Sequence, residues 1–210
     1  MHASLWRRAF AALAPALVIA ACSDQPTTAP DTSPGELEAS RGAQGAPAAT
    51  QQPKAGLEIN YMEFTIDHHA MGVGMAQLCI QKAVHAELRE LCQTELATQS
   101  AQIQQLQSWL QAWYGIAYQP EMTQGDQRMM DMLAALSGAE FEVEFMETFS
   151  RHHHQIIQRS QPIADQAVHP ELRQLATSII QAQTAGIHDM LTWLCEWYNI
   201  CHTRFGISPG

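Results

Sequence analysis

Basic residues are scarce in this sequence. Its 210 residues include 11 lysines and arginines against 21 aspartates and glutamates, which gives a formal net charge of −10 at pH 7. A nucleic-acid-binding protein needs a basic surface to neutralise phosphates. The charge balance therefore argues against a nucleic acid as a partner.

Catalytic signatures are missing too. The sequence has no Glu-x-x-His, the pair with which helical bundles hold two irons. It has no histidine–glutamate motif of zinc hydrolases, no phosphate-binding loop and no nucleophile elbow. A di-iron oxidase or ferroxidase is therefore disfavoured, and we expect a protein that is not an enzyme.

Long apolar runs are also absent. Arg7 and Arg8 precede a small and apolar run over residues 9–21, which is shorter than the roughly 20 residues that cross a bilayer as a helix. A basic start, a short apolar run and small residues before a cysteine are typical of a cleaved export signal. Residues 1–21 are therefore predicted to be a signal peptide.

The end of this signal resembles the lipobox of bacterial lipoproteins. Ile19-Ala20-Ala21-Cys22 matches the pattern, with Ile19 where leucine is commoner. The resemblance implies that Cys22 is acylated and anchors an exported protein to a membrane of the cell envelope, on its periplasmic or outer face. The alternative is an ordinary secretory signal with a chance cysteine.

Residues 22–56 are predicted to be a flexible tether. They are mostly Ala, Pro, Thr, Gln, Gly and Ser, so they bury too little apolar surface to offset chain entropy. About 150 residues follow, enough for one ordinary domain with a full core.

The rest of the chain contains an internal duplication. Residues 61–114 align with residues 145–198 at an offset of 84, without a gap. The identities include Met62 with Met146, Glu63 with Glu147, His68 and His69 with His152 and His153, Gln99 with Gln183, Ile103 with Ile187, Trp109 with Trp193, Trp113 with Trp197 and Tyr114 with Tyr198.

Each copy is predicted to fold as two helices, because apolar residues recur at alternating steps of four and three. On the first helix these residues are Leu57, Tyr61, Phe64, His68, Met71, Met75 and Leu78, and the return helices show the same period. Neither hairpin can bury its apolar face alone, so we expect an all-α four-helix bundle made of two repeated hairpins. The bundle is expected over residues 57–200, with repeat one at 57–115, a connection at 116–139 and repeat two at 140–200. The predicted helices are 57–82, 86–114, 140–166 and 170–198, with a short extra helix near 126–136.

One stripe of the first helix carries candidate metal ligands. His68, Met71 and Met75 lie at i, i+3 and i+7, with His69 beside them. Imidazole and thioether groups are the ligands that a soft, low-valent copper or silver ion prefers, which favours Cu(I). Methionine at helical spacing is, however, commonly core filler, and that interpretation stays open.

Three features favour metal binding. The histidine pair recurs at the same helical position in the second copy, and Gly72 and Gly74 stand mid-helix beside the site, where each costs about 1 kcal/mol relative to alanine. The second copy also adds His154 and, on its return helix, His188 and Met190. The candidate ligands are His68, His69, Met71, Met75, His152, His153, His188 and Met190.

The pattern resembles the family called domain of unknown function 305. Its paired histidine, spaced small residue and Met-Ala are matched by His68-His69, Gly72 and Met75-Ala76, and its return-helix motif is matched by Gln183, Ile187, Met190 and Trp193-Leu194. The resemblance covers residues 57–198. It implies a ferritin-like bundle, an exported setting and, in some members, copper binding.

The second copy departs from this pattern. Its counterparts of Met71 and Met75 are Gln155 and Arg159, and an arginine beside a cation site is unfavourable. The glutamate that commonly follows the return-helix glutamine is Gln102 in the first copy and Gly186 in the second. We therefore expect the first copy to carry the site.

Residues near the helix ends have structural interpretations. His85 and His169 precede the return helices at equivalent places and are expected to be cap or turn residues instead of ligands. Pro170 suits the first position of the last helix, and Gly115 suits the end of the second.

Four cysteines form two local pairs that the other copy lacks. Cys79 and Cys92 flank the first turn, and Cys195 and Cys201 flank the end of the last helix. Two disulfides are expected, in keeping with an oxidising envelope. Thiolate ligation of a metal is the competing interpretation.

The sequence thus predicts an envelope-anchored protein that binds a soft transition metal, above all copper, for metal homeostasis or resistance. The alternative is a non-catalytic envelope lipoprotein that serves as an interaction or structural module, with histidines that only pack. No protein partner follows from the residues.

Overall fold

Five helices make up the part of the chain that the structure describes. The structure is a computed structural model, and it describes residues 48–204 and residue 206. The helices are α1 (Ala48–Lys82), α2 (Ala86–Tyr114), α3 (Gln124–Ala135), α4 (Gly138–Gln166) and α5 (Pro170–Tyr198). The predicted all-α fold is confirmed, and within the described residues no helix combines the length and the apolarity needed to span a membrane.

The predicted signal peptide, the lipidation at Cys22 and the tether up to residue 47 lie outside the described residues. Residues 48–56, predicted as the end of the tether, belong to α1. Alanine, glutamine and lysine in this stretch favour a helix whereas Pro53 and Gly56 disfavour it, so the extension of α1 before residue 57 has no explanation in local propensity.

The other helix boundaries lie within two residues of the predictions. Helices α2 and α5 have the predicted bounds, Gly115 ends α2 in the left-handed conformation, and Pro170 opens α5. Helix α3 begins slightly earlier than predicted because Thr123 and Asp126 form a capping box, in which each side chain accepts a hydrogen bond from the other's backbone N–H.

The two hairpins are α1 with α2 and α4 with α5, and they meet where α1 packs against α4. Helix α3 lies on the connection between the copies and contacts α1 and α4. Two apolar clusters form, one around Met75, Cys92 and Phe145 and the other around Ile66, Leu106 and Ile163. The histidines and glutamines of the sequence motifs fall between the two clusters along all four long helices.

A buried glutamate joins the copies at each end of the bundle. Glu58 of α1 accepts hydrogen bonds from the backbone N–H groups of Val168 and His169, in the turn of the second hairpin. Its other oxygen lies 2.7 Å from Nδ1 of His169 and accepts a hydrogen bond from Tyr114. The His169 ring stacks on Trp113, with centroids 3.8 Å apart. We call this set the Glu58 clasp.

The second copy repeats the arrangement as the Glu142 clasp. Glu142 of α4 accepts hydrogen bonds from the backbone N–H groups of Val84 and His85, at 2.6 and 2.8 Å. It also binds Nδ1 of His85 at 2.6 Å and the hydroxyl of Tyr198, and the His85 ring stacks on Trp197. His85 and His169 occupy the N-cap positions of α2 and α5, as expected, but their rings bind glutamates instead of capping the helices.

Both predicted disulfides are present. Cys79–Cys92 links α1 to α2, and Cys195–Cys201 ties the end of α5 to the chain that follows it. The competing interpretation, thiolate ligation by these four cysteines, is therefore wrong for this structure.

Candidate metal site

Buried polar side chains from all four long helices form one layer between the two apolar clusters. We call it the polar layer. It consists of His68 and His69 on α1, Glu95, Gln99 and Gln102 on α2, His152 and His153 on α4, and Gln183 on α5.

His68 and His152 form a stacked pair where α1 crosses α4. Their ring centroids lie 3.5 Å apart, and Nε2 of each ring lies 3.0 to 3.1 Å from the backbone carbonyl of the other residue. A carbonyl oxygen only accepts, so both Nε2 atoms donate. Each neutral ring then keeps a lone pair on Nδ1, and neither Nδ1 has a hydrogen-bond partner.

Burial keeps these rings neutral. Burial, together with the neighbouring imidazoles of His69 and His153, lowers the pKa of His68 to about 3. Burial, followed by the neighbouring imidazoles of His68, His153 and His69, also places the pKa of His152 well below its usual value of 6.5. Both imidazoles are thus available as metal ligands at neutral pH without losing a proton.

A cavity of about 400 Å³ borders this pair. His68, Met71 and His152 line it, so two imidazoles and one thioether face the same space. The other lining residues are Phe64, Asp67, Glu121, Thr123, Asp126, Met129, Thr148, Arg151 and Gln155. Several of them come from α3 and the residues leading into it, so the connection between the copies forms one wall.

The second copy contributes differently from the first. Gln155, the counterpart of Met71, lines the cavity, and the guanidinium of Arg159 lies 4.8 Å from the centre of the Phe64 ring. The candidate set therefore takes its thioether from the first copy alone but takes one histidine from each copy.

The remaining predicted ligands are separated from the cavity. Met75 and Met190 are fully buried in the same apolar cluster, and Sδ of Met190 is 4.0 Å from the hydroxyl of Ser150. His188 is exposed on α5, as is His154 on α4, so the structure does not bring either ring to the polar layer. Of the two candidates on α5, Met190 thus lies in the interior and His188 lies on the surface.

His69 and His153 occupy the inner part of the polar layer with Glu95. Both rings are fully buried, and Nε2 of His153 lies 3.5 Å from Oε1 of Glu95. Burial lowers the pKa of His69 to about 4. Burial would raise the pKa of Glu95, but the interactions with His153, Gln99 and His69 outweigh it, and the net pKa is lowered.

The two mid-helix glycines of α1 have different explanations. A Cβ at Gly72 would lie 2.1 Å from Oε1 of Gln99, so any larger residue at this position would force the Gln99 side chain to move. A Cβ at Gly74 would meet Met130 at an ordinary 3.6 Å. Nothing in its surroundings requires glycine at position 74.

Sequence reasoning missed Glu95. It has no counterpart in the second copy, where Ile179 occupies the equivalent position. The signal was nevertheless present, because steps of four, three and four residues connect Leu88, Cys92, Glu95 and Gln99. A carboxylate on an otherwise buried stripe marks a polar interior site.

Within residues 54–204, no three His, Cys, Asp or Glu side chains already have the arrangement of a metal site. The set at the cavity is of another class, because its third donor is a thioether. Its fit to a metal rests on the two free Nδ1 atoms and the nearby sulfur, a donor set suited to a soft ion.

Comparison with known proteins identifies relatives. The model of the family described as "Domain of unknown function (DUF305)" matches residues 58–194. The structure of CopM in the Cu(I)-bound form is 26% identical with a TM-score of 0.61, and that of CopM in the Cu(II)-bound form is 28% identical with a TM-score of 0.62. Each similarity covers 67% of this chain and 97% of the other.

A DUF305 fragment from Deinococcus radiodurans has the same fold. It is 22% identical with a TM-score of 0.58, and the similarity covers 67% of this chain and 96% of the fragment. No curated protein matches this chain significantly.

Proposed function

This chain belongs to the DUF305 family, and on that premise we propose that it binds a soft transition metal ion, copper above all, with Cu(I) favoured. The supporting observation is the juxtaposition of two imidazoles with free Nδ1 atoms and the thioether of Met71 at one cavity. The similarity to CopM, whose structures include Cu(I)-bound, Cu(II)-bound and Ag-bound forms, supports the same ion class.

The ligand chemistry argues for the lower oxidation state. His68, His152 and Met71 are all neutral donors, and thioether sulfur suits Cu(I) better than it suits harder divalent ions. Three carboxylates, those of Asp67, Glu121 and Asp126, line the cavity with one guanidinium, that of Arg151, so the net negative charge of the lining would attract a cation.

We propose that the protein is not an enzyme and acts in copper homeostasis or resistance at the cell envelope. Export through the signal at residues 1–21 and anchoring through Cys22 are part of this proposal. Replacing Cys22 with alanine should release the protein from membranes and abolish its labelling by a fatty acid. A variant that stays in the membrane fraction would contradict the anchor.

The test of metal binding is a Cu(I) titration of the mature protein in competition with a chromophoric chelator. Met71→Leu keeps the volume of the side chain and removes the sulfur, so we expect at least a tenfold loss of Cu(I) affinity. Met62→Leu is the matched control, because Met62 is a buried methionine of α1 in the other apolar cluster.

His152→Gln should weaken Cu(I) binding as well, because the site needs a histidine from each copy. If both Met71→Leu and His152→Gln bind Cu(I) like the unmodified protein, the assignment is wrong. The histidine pair would then serve the packing of α1 against α4, as the interaction-module alternative holds.

A further inference from the structure

We propose that Met129 of α3 is a second thioether ligand of the soft ion, so that the connection between the copies completes the site. The inference rests on the proposed function, because it adds one donor to His68, His152 and Met71. The ligands expected from the sequence all lie in the two copies, whereas α3 lies on the connection between them. A ligand on α3 makes the bound ion a link between both hairpins and the segment that joins them.

Met129 lies at the same cavity as the three proposed ligands. It lines this cavity together with His68, Met71 and His152. It is also partly buried against the apolar cluster that contains Met71. The cavity is therefore lined by sulfur-bearing side chains from two helices, α1 and α3.

The packing of α3 on α1 places Met129 beside Met71 independently of the cavity. The methyl carbon of Met130 lies 3.6 Å from the position that a Cβ would occupy at Gly74. Gly74 follows Met71 by three residues, which is less than one turn of α1. Helix α3 thus lies over α1 at the height of the proposed thioether ligand.

Met129 belongs to the face of α3 that is turned towards the bundle. Asp126, Met129 and Leu133 follow each other at steps of three and four residues, so they share one side of the helix. The first two line the cavity, and Leu133 is fully buried in the apolar cluster. The opposite side of α3, with Arg128 and Met132, is exposed.

The segment that contains α3 is fixed to α1 at both of its ends. Asp67, the neighbour of His68 in the chain, accepts hydrogen bonds from the hydroxyl of Tyr118 at 2.7 Å and from the backbone N–H of Glu121 at 2.8 Å. At the other end, the ammonium group of Lys82 donates a hydrogen bond to the backbone carbonyl of Ala134. These contacts hold α3 in place over the cavity, and a ligand on a fixed element binds with a smaller loss of entropy.

Two carboxylates at the cavity are already engaged. Both oxygens of Asp67 accept the hydrogen bonds from the connection. Asp126 accepts hydrogen bonds from the backbone N–H and the hydroxyl of Thr123, at the start of α3. A thioether also suits Cu(I) better than a carboxylate does. The sulfur of Met129 is therefore the additional donor that fits a soft ion.

The experiment extends the Cu(I) titration of the mature protein to Met129→Leu. Leucine keeps the apolar volume and removes the sulfur. Losing a residue that only supports a metal ligand already costs about 10- to 100-fold in affinity, so Met129→Leu should weaken Cu(I) binding at least about tenfold. Met132→Leu is the control, because Met132 is an exposed methionine of the same helix, and it should bind Cu(I) like the unmodified protein.

X-ray absorption at the copper edge counts the sulfur ligands without depending on the folding of a variant. Measured with less Cu(I) than protein, the unmodified protein should show two sulfur ligands for each ion. Met129→Leu and Met71→Leu should each show one. A single sulfur ligand in the unmodified protein overturns the proposal.

The titration distinguishes a failure of this inference from a failure of the proposed function. If Met129→Leu binds Cu(I) like Met132→Leu while Met71→Leu loses affinity, Met129 only fills space, and the proposed function stands without it. If Met71→Leu and His152→Gln also bind normally, the metal site at the cavity is wrong, and the role of Met129 is wrong with it.

Discussion

Replacing Glu142 with glutamine should show how strongly the clasps hold the two hairpins together. The carboxylate is fully buried and accepts hydrogen bonds from the backbone of Val84 and His85, from the His85 ring and from Tyr198. A glutamine can still accept the two backbone bonds through its carbonyl oxygen. Its NH₂ group, however, is a donor, and it would face the His85 ring nitrogen and the Tyr198 hydroxyl, which both donate to the carboxylate.

The expected loss of unfolding free energy follows from the two hydrogen bonds that the His85 ring and the Tyr198 hydroxyl donate to Glu142. Hydrogen bonds to a charged group contribute about 1.5–3 kcal/mol each, and at the lower end the two together give about 3 kcal/mol of unfolding free energy. In a domain of this size that corresponds to a fall in melting temperature of about 6–12 °C. Glu58→Gln should have a similar effect, because the Glu58 clasp contains equivalent bonds.

The pH dependence of this effect has a defined sign. Burial would raise the pKa of Glu142, but the hydrogen bonds from Tyr198 and from the His85 backbone and ring outweigh it and lower the pKa from its usual 4.5. A carboxylate with a lowered pKa in the folded state stabilises that state fully above its unfolded pKa, and the stabilisation is lost as pH falls through the folded pKa. The difference in unfolding free energy between the unmodified protein and Glu142→Gln should therefore be constant near neutrality and shrink below about pH 4.5.

Equilibrium urea unfolding of the mature protein measures both quantities. Glu140→Gln is the control, since Glu140 is an exposed glutamate on the same helix. If Glu142→Gln unfolds within 0.5 kcal/mol of that control at pH 7, roughly the range of an ordinary surface substitution, the clasp does not stabilise the bundle as argued.

Two further stability predictions follow from α1. Gly72→Ala should destabilise the protein by about 1 kcal/mol or more, because the new Cβ displaces the Gln99 side chain. Gly74→Ala should be neutral or stabilise the protein by up to about 1 kcal/mol. If the two variants have equal effects in thermal unfolding, the contact between Gly72 and Gln99 does not matter for stability. Replacing Cys79 and Cys92 together with serine removes a crosslink between residues 13 positions apart, which should cost about 3 kcal/mol; an unchanged urea midpoint would show that the bond does not constrain the unfolded chain.

Periodicity made most of the fold predictable. The duplicated pattern of steps of three and four residues determines which face of each helix is buried, and Pro170 and Gly115 mark helix ends by local backbone chemistry. The extension of α1 to Ala48 was not predicted, because residues before 57 carry no apolar face.

The candidate site was predictable only in part. A helical stripe groups Met71 with Met75, but the cavity lies on one side of the stripe, so only Met71 reaches it. That side depends on where α3 crosses, which no pattern in α1 encodes. The clasps, in contrast, could have been predicted from the repeat. Glu58 and Glu142 are separated by the same 84 residues as the aligned copies, and they form the same contact in both copies just outside the aligned segment.

Agreement and disagreement between the copies separate structural from chemical roles. The residues of the two clasps are the same in both copies, and they form equivalent contacts at the two ends of the bundle. At the centre the copies differ, since Met71 stands opposite Gln155 in the alignment and Glu95 opposite Ile179. The histidine pairs are common to both copies, so the residues that differ around them distinguish the two halves of the layer. The thioether of Met71 lines one cavity with His68 and His152, and it adds sulfur to the proposed set for a soft ion. Divergence after duplication thus accounts for a proposed site that takes one histidine from each copy but, of the two copies, takes sulfur from the first alone.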